Sequence, residues 1–232
     1  AGAGAGKTKT ITHRAAYMIK SGIPAHSILA VTFTNKAAAE MRNRIAALLP
    51  PSEGGNAVPF TTTFHSLGVR ILREFASAAG IPRSFVIWDR DDSIRALKRV
   101  LVAAGLENRF PPRQVLSRIS REKGNGLSAE TFLEQASSFY MQSVAEAWIG
   151  YEAALTQEGA LDFDDLLLRT LALLRSSAET LAKLQNRWQH VTIDEYQDTN
   201  QAQYEIARLI TGEQQNICAV GDIDQNIYSW RG

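Results

Sequence analysis

The sequence predicts an α/β fold in which a parallel sheet flanked by helices is interrupted by an all-helical segment. Short apolar runs such as Ile28–Thr32 and His190–Asp194 alternate with helical patterns at both ends of the chain, as expected for buried parallel strands joined by helices. Between about Asp89 and Gly159 the strand signals vanish. We therefore predict one α/β domain formed by residues 1–88 and 160–232, with a helical insertion subdomain over 89–159.

Local signals define the elements of the first part. Residues 7–20 have helical character, and Ile28–Thr32 is a β-rich run typical of a buried strand. Asn35 is expected to cap a second helix, in which apolar residues recur at helical spacing. After a Pro/Gly-rich loop, Phe60–Thr63 is predicted to be a strand that leads into a third helix.

The insertion and the last part follow the same reasoning. Three helical patterns, separated by Gly and Pro, occupy the insertion, and the last of them predicts one long helix from Ser128 to about Glu158. Strand signals return with His190–Asp194 and Asn216–Val220. The sheet of the α/β domain is thus expected to combine strands from both sides of the insertion.

Composition excludes some classes of protein but does not indicate a partner. Of the 232 residues, 45% are hydrophobic and 21% charged, and the formal net charge is +1. No run of about 18 apolar residues predicts a membrane span, and no apolar stretch suggests a secretory signal. We therefore expect a cytoplasmic, nucleoid-associated protein. The lone Cys218, in an apolar run, is expected to be a small core residue.

The first eight residues, AGAGAGKT, match the phosphate-binding pattern G-x-x-x-x-G-K-[ST] except that Ala1 replaces its first Gly. In such a loop Lys7 reaches the β- and γ-phosphates of ATP, and the Thr8 hydroxyl is a ligand of Mg²⁺. A flexible Gly/Ala linker is the alternative interpretation. The backbone of four further residues is expected to hold phosphate oxygens: Ala3, Gly4, Ala5 and Gly6.

Two adjacent carboxylates, Asp194 and Glu195, end the second apolar strand. Ligands of open α/β sheets bind at the carboxyl ends of the strands, so both are expected near Lys7 and Thr8. Asp194 is suited to Mg²⁺ beside Thr8, and Glu195 is suited to act as the general base for the attacking water. A solvated Asp-Glu turn is the alternative, and the upstream phosphate loop makes it much less favourable.

Further segments, in the same order along the chain, resemble the motifs of the UvrD/Rep/PcrA helicases of superfamily one. The segment that starts at Asp194 reads DEYQDTN, and five others accompany it. They are the phosphate loop, VTFTNKAA (31–38), TFHS (63–66), FDDL (163–166) and VGDIDQNIYSWRG (220–232).

This resemblance implies a RecA-like ATPase domain with a helical subdomain inserted. It implies an ATP-dependent DNA helicase (an ATP hydrolase) that moves along single-stranded DNA, typically 3′ to 5′, and unwinds duplex DNA in repair or replication. Gln225 would sense the γ-phosphate as part of the catalytic set with Lys7 and Glu195. Gln197 and Lys9 would lie near the nucleotide.

The expected DNA contacts are aromatic rings for the bases and polar groups for the phosphates. Core packing is the alternative for each ring, and for Phe33 and Phe64 both interpretations stay open. Trp230, in a polar segment, is expected to stack on a base, and His65 is expected to make a polar contact and not to bind a metal. The complete set is Thr32, Phe33, Asn35, Lys36, Thr63, Phe64, His65, Tyr228, Trp230 and Arg231.

Two alternatives remain, the first of them within the helicases and the second of another class. One is the motor of a RecB/AddA-type helicase-nuclease, and another is a DNA-binding module that uses ATP as a switch. A nucleotide kinase is disfavoured by DEYQD and by the motif order. The expected partners are single-stranded DNA, junctions between single- and double-stranded DNA, and repair or replication proteins, with no membrane. Because the resemblance implies a second RecA-like domain with arginine fingers beyond residue 232, the chain alone is expected to unwind no DNA and to hydrolyse ATP poorly.

Overall fold

The computed structural model of the chain describes residues 6–50 and 58–222. Within it the chain divides into two compact units: the first runs up to Arg70 and resumes at Leu173, and the second is Ile71–Ala172. The predicted insertion over 89–159 lies inside the second unit. Several predicted site residues lie outside the described residues, namely Ala3, Gly4, Ala5, Gln225, Tyr228, Trp230 and Arg231.

Helices and strands alternate through most of the described chain. The helices are α1 (Lys7–Lys20), α2 (Asn35–Leu48), α3 (Phe64–Glu74), α4 (Arg90–Ala103), α5 (Pro112–Gly124), α6 (Ala129–Glu134), α7 (Phe139–Gln157), α8 (Phe163–Ser176), α9 (Ala178–Arg187) and α10 (Gln201–Thr211). The strands are β1 (Ile28–Thr32), β2 (Phe60–Thr63), β3 (Val86–Ile87), β4 (Ala160–Leu161), β5 (His190–Ile193) and β6 (Ile217–Ala219). None of the described helices is both long and apolar enough to cross a membrane.

The first unit contains a parallel sheet of four strands in the order β2-β1-β5-β6. Ala30 of β1 lies opposite Thr61 on one side and Thr192 on the other. Every residue of β1 is buried, as expected for the centre of a parallel sheet covered by helices. The predicted parallel sheet, with strands from both sides of the insertion, is confirmed.

Helices α1 and α2 cover one face of this sheet. Ile11 and Ala15 from α1 and Met41 and Ile45 from α2 pack with Ala30 in a single apolar cluster. Cys218 is only half-buried and packs at the margin of this cluster, so it contributes to the core without lying at its centre.

The cap of α2 differs from the prediction. Thr34, not Asn35, precedes the helix: its backbone is extended, and its Oγ1 accepts a hydrogen bond of 3.1 Å from the N–H of Ala37. Asn35 is the first helical residue, so its side chain does not cap the helix. Both residue types cap helices well, and the local sequence does not distinguish between them.

The second unit is a helical bundle with a minimal sheet. Trp148 and Tyr151 of α7 and Leu97 and Leu101 of α4 are fully buried in its core. The short parallel strands β3 and β4 pair beside the bundle. The single long helix predicted from Ser128 is two helices, because α6 ends at Glu134 and Ser138 caps α7 by accepting a hydrogen bond from the N–H of Met141.

Candidate active site

The site begins where the phosphate-loop sequence enters α1. Gly6 precedes the helix with φ of 79° and ψ of 17°, a left-handed conformation that glycine adopts without the steric cost of a Cβ. This turn makes Lys7 and Thr8 the first residues of α1. The unpaired N–H groups and the positive end of the helix dipole therefore lie at this point, as an anion site requires.

The end of β5 brings Asp194 to the start of α1. Its N–H donates to the carbonyl of Val31 at 2.9 Å, and Thr8 Oγ1 donates to its Oδ2 at 3.2 Å. Burial raises the pKa of Asp194, and the charge of Glu195 raises it further, against the hydrogen bonds and the Lys7 charge that lower it. A cation at this position would relieve that penalty, since it favours the ionised form.

Lys7 lies between two carboxylates. Its Nζ is 3.3 Å from Asp222 Oδ2 and 3.9 Å from Glu195 Oε2, and its side chain is only 9% exposed. Within the described residues no acceptor forms a hydrogen bond with this buried nitrogen. An ammonium group has three N–H donors, so Lys7 retains donors that an anionic ligand could satisfy.

Glu195 and Gln197 also line the site. Glu195 adopts a left-handed conformation with φ of 53°, which is uncommon for a residue with a side chain and marks strain at functional sites. Gln197 Nε2 donates to Glu195 Oε2 at 2.8 Å, while Gln197 Oε1 accepts from the N–H of Asp222 at 2.9 Å. Gln197 thus orients the Glu195 carboxylate and ties it to the chain after β6.

The segment after β6 contributes two residues to which the sequence reasoning assigned no role. Asp222 pairs with Lys7, and Gly221 lets the chain approach Gln197. A Cβ on Gly221 would lie 2.7 Å from Gln197 Oε1 and 3.1 Å from the Gln197 backbone nitrogen, so no larger residue fits without a shift. Their position at the carboxyl end of a parallel strand was the available signal.

The residues expected to contact DNA divide into buried and exposed groups. Thr32, Thr63 and Phe64, at or next to the ends of β1 and β2, are buried. The Phe64 ring is 2% exposed and meets Phe33 edge-on at 6.4 Å between centroids. The core-packing alternative therefore describes Phe64 as it lies in this structure, whereas Phe33 is only half-buried.

The more polar candidates lie at the surface beside Phe33. Asn35 and Lys36 are exposed in the first turn of α2, and His65 is half-buried at the start of α3. Ser66 Oγ donates to Asn35 Oδ1 at 3.4 Å, which links the segments that follow β1 and β2. Burial lowers the pKa of His65, so this residue offers a neutral imidazole for a polar contact.

The described residues contain no group of three or more His, Cys, Asp or Glu that could hold a metal ion by themselves. A magnesium ion at Thr8 and Asp194 would need its remaining ligands from water and from phosphate oxygens. Mg²⁺ is commonly held in that way, with few protein ligands.

Comparison with known proteins agrees with the motifs. The family described as the UvrD/REP helicase N-terminal domain matches residues 1–232. The chain is 44% identical over 235 aligned residues to the ATP-dependent DNA helicase PcrA of Staphylococcus epidermidis, 42% over 234 to that of Leuconostoc citreum, and 42% over 235 to that of Staphylococcus aureus. Each alignment covers 100% of this chain but only 31% to 32% of the relative. The chain therefore spans about a third of the length of these relatives.

Proposed function

The chain belongs to the UvrD/REP helicase N-terminal domain family, and from that premise we propose that it is the ATP-binding and ATP-hydrolysing part of a DNA helicase. The observation that carries the proposal is the meeting of Lys7, Thr8, Asp194, Glu195 and Gln197 at one edge of the sheet. These five side chains supply phosphate recognition, metal binding and water activation, which are the parts that phosphoryl transfer to water needs.

Phosphate recognition falls to Lys7 and the start of α1. The Lys7 ammonium is buried and has no hydrogen-bond acceptor among the described residues, so a phosphate oxygen would satisfy donors that these residues leave open. Asp222, 3.3 Å away, holds the side chain in position. We infer that the β- and γ-phosphates of ATP bind here, with the backbone of residues 3–6 and Lys9 as further predicted contacts.

Magnesium binding would fall to Thr8 and Asp194, which already form a hydrogen bond to each other. A bound Mg²⁺ would neutralise charge on the phosphates. The burial that raises the pKa of Asp194 gives this carboxylate a physical reason to prefer a cation.

Water activation would fall to Glu195. Its side chain is 37% exposed, so water can reach it, and Gln197 fixes the orientation of its carboxylate. In the proposed cycle Glu195 accepts the proton of the attacking water. Gln225 is the predicted γ-phosphate sensor.

Single-stranded DNA is the proposed substrate along which the motor moves. We call its proposed binding surface, at the ends of β1 and β2, the track. Its exposed and half-buried residues are Phe33, Asn35, Lys36 and His65, and its buried ones are Thr32, Thr63 and Phe64. Tyr228, Trp230 and Arg231 remain predicted contacts. Movement in the 3′ to 5′ direction, unwinding at junctions, a place in repair or replication with protein partners, and association with the nucleoid belong to the same proposal.

The decisive experiment replaces Glu195 with Gln in the full-length protein. DNA-stimulated ATP hydrolysis should fall by about 10²–10⁴-fold, as for loss of a general base, while ATP still binds because Lys7, Thr8 and Asp194 remain. Glu179→Gln, on the exposed side of α9, is the matched control and should hydrolyse ATP normally. Hydrolysis by Glu195→Gln at the wild-type rate would exclude Glu195 as the base.

Phosphate release, measured together with DNA binding and DNA cleavage, separates the alternatives. A DNA-binding module that uses ATP only as a switch would bind DNA in an ATP-dependent way without DNA-stimulated phosphate release. A helicase-nuclease would cleave single-stranded DNA in addition to hydrolysing ATP. The match of the whole chain to PcrA helicases favours a helicase motor, and phosphate release without nuclease activity is the expected result.

A further inference from the structure

Positive charge is concentrated at the start of the chain. Residues 1–50 contain seven Lys or Arg residues and a single carboxylate, Glu40, although the whole chain has a net charge of only +1. The rest of the chain is therefore net negative. Since α1 and α2 lie in this segment and cover one face of the sheet, that face carries most of the unbalanced positive charge of the first unit.

The outer side of α1 combines this charge with an exposed aromatic ring. Lys9, His13, Tyr17 and Lys20 follow one another at spacings of four, four and three residues, so they share one side of the helix, and Arg14 flanks them. All five are exposed, and Tyr17 is 71% exposed. We call these five residues the α1 stripe.

The cations of the α1 stripe are not neutralised locally. Among the described residues neither Arg14 nor Lys20 has a carboxylate partner, whereas Arg44 of α2 pairs with Glu40. Burial lowers the pKa of His190 at the start of β5, and the positive charge of Arg14 lowers it further. A positive field of this kind attracts a polyanion and repels other cations.

We propose that the α1 stripe is a second contact for single-stranded nucleic acid, separate from the track at the ends of β1 and β2. Cationic side chains that follow a phosphate backbone, with an aromatic ring on which a base can stack, are the chemistry of such a site. This inference rests on the proposed function, since it adds a surface to a protein that already handles DNA. A helix of 14 residues is about 21 Å long, enough to follow several nucleotides.

The position of α1 determines how the length of the DNA strand should affect binding. The helix begins at the nucleotide site with Lys7 and ends at Lys20, 14 residues in all. A strand bound along the α1 stripe would lie on the exposed side of α1, whereas Asn35 and Lys36 belong to α2. Only a long strand can occupy both surfaces, so the contribution of the α1 stripe should depend on strand length.

The test measures binding of labelled oligothymidylates to the full-length protein at several salt concentrations. The charge variant is Arg14→Gln/Lys20→Gln, and the aromatic variant is Tyr17→Ala. On a long strand the charge variant should reduce the slope of log K against log [salt] by about 1.4, because each lost phosphate contact on a single strand removes about 0.7. Tyr17→Ala should weaken binding about 5- to 160-fold at fixed salt, since one stacked base is lost, and should leave the slope unchanged.

Two controls sharpen the result. Lys183→Gln/Arg208→Gln removes the same charge from exposed, ion-paired positions of the first unit and should change the slope little. An oligothymidylate of about 8 nucleotides, within the range of a single binding site, should bind all variants alike. ATP hydrolysis without DNA should be the same in every variant, because none of the altered residues belongs to the proposed nucleotide site.

The outcomes separate this inference from the proposed function. If the wild-type protein binds no DNA, both are rejected. If it binds long and short strands but the α1 variants match the wild type, the track stands and the α1 stripe is excluded as a nucleic-acid site. Binding of an acidic peptide can be measured with the same variants. If the α1 variants bind the peptide more weakly than the wild type but bind DNA equally well, the stripe contacts a protein partner and the proposal is overturned.

Discussion

Two buried lysines, one in each unit, lie among carboxylates in opposite ways. Lys7 of the first unit is 9% exposed and Lys123 of the second is 4% exposed. Lys123 donates to Asp162 and Asp165 at 2.9 Å each and pairs with Glu152 at 2.7 Å. Lys7 has carboxylates only at 3.3 Å and 3.9 Å and makes no hydrogen bond to any described residue.

The surroundings of Lys123 are complete without a ligand. The Tyr151 hydroxyl donates to Asp162 at 3.1 Å, and Trp148 Nε1 donates to Glu152 at 3.0 Å. Burial alone lowers the pKa of Lys123, but the three carboxylates outweigh burial, and the net direction is upward. Every partner in this network comes from the second unit. We interpret it as a structural tie between α5, α7 and the start of α8.

The difference shows how to separate a structural charge cluster from a ligand site. Breaking a buried, satisfied pair leaves uncompensated charge, so a network such as that of Lys123 stabilises its own fold. A buried cation with open donors is costly unless something else completes it. Lys7 is such a cation, and the comparison predicts stability effects at Lys123 and ligand effects at Lys7.

The largest expected effect is on stability at Lys123. Lys123→Met should lower the free energy of unfolding by about 3–5 kcal/mol, because three carboxylates lose their buried cation. Urea unfolding of the chain followed by tryptophan fluorescence measures it, with Trp148 close to the change. Lys98→Met, at an exposed position of α4, should change stability little. A loss below about 1 kcal/mol at Lys123, as for a surface pair, would remove the distinction between the two lysines.

The next effect is on ligand binding at Lys7. Lys7→Met should weaken ATP binding by about 1.5–3 kcal/mol, the contribution of a hydrogen bond to a charged group. Its cost in unfolding free energy should be smaller than that of Lys123→Met, because the Lys7 carboxylates are more distant and Glu195 is partly exposed. Titration with a fluorescent ATP analogue measures the affinity, and Lys20→Met on the same helix is the control. Equal ATP affinity with a large loss of stability would make Lys7 a structural residue.

The smallest effect is a pH dependence of two carboxyl groups in the first turn of α8, Asp164 and Asp165, on which the charge of Lys123 acts. Burial, followed by the charge of Asp162, raises the pKa of Asp164 and Asp165 to about 6. Folding therefore raises the proton affinity of both groups, so their contribution to stability is greatest below about pH 4 and declines as pH rises through about 6. Raising the pKa from 3.8 to about 6 corresponds to about 3 kcal/mol per group, of which about 2 kcal/mol should be lost between pH 4 and 7.

Asp164→Asn tests this pH dependence, because it removes one titrating group and keeps the shape of the side chain. The stability difference between wild type and variant, from urea unfolding at pH 4 to 7, should shift in favour of the variant as pH rises. Glu146→Gln, on the exposed side of α7, should show no such trend. A flat difference for Asp164→Asn would mean that this carboxyl has no raised pKa in the folded chain.

Much of the architecture followed from local sequence. The apolar runs of β1 and β5 predicted buried parallel strands, and the phosphate loop and the Asp-Glu pair predicted which side chains would lie at their carboxyl ends. These features can be predicted from sequence because the periodicity of apolar residues is local, and because a motif that directly follows a parallel strand lies at the carboxyl end of that strand. The two errors in the helices, at the α2 cap and in the break between α6 and α7, are boundary errors, where several residue types satisfy the backbone equally well.

The sequence by itself determined the family, the parallel sheet and the identity of Lys7, Thr8, Asp194 and Glu195 as a group, since the chemistry of each motif lies in adjacent residues. Only the tertiary structure decided which charges complete one another. The pairing of Lys7 with Asp222, the hydrogen bond from the N–H of Asp222 to Gln197, and the network around Lys123 join residues far apart in the chain. Burial and distance govern these interactions, and both arise only when the strands and helices pack.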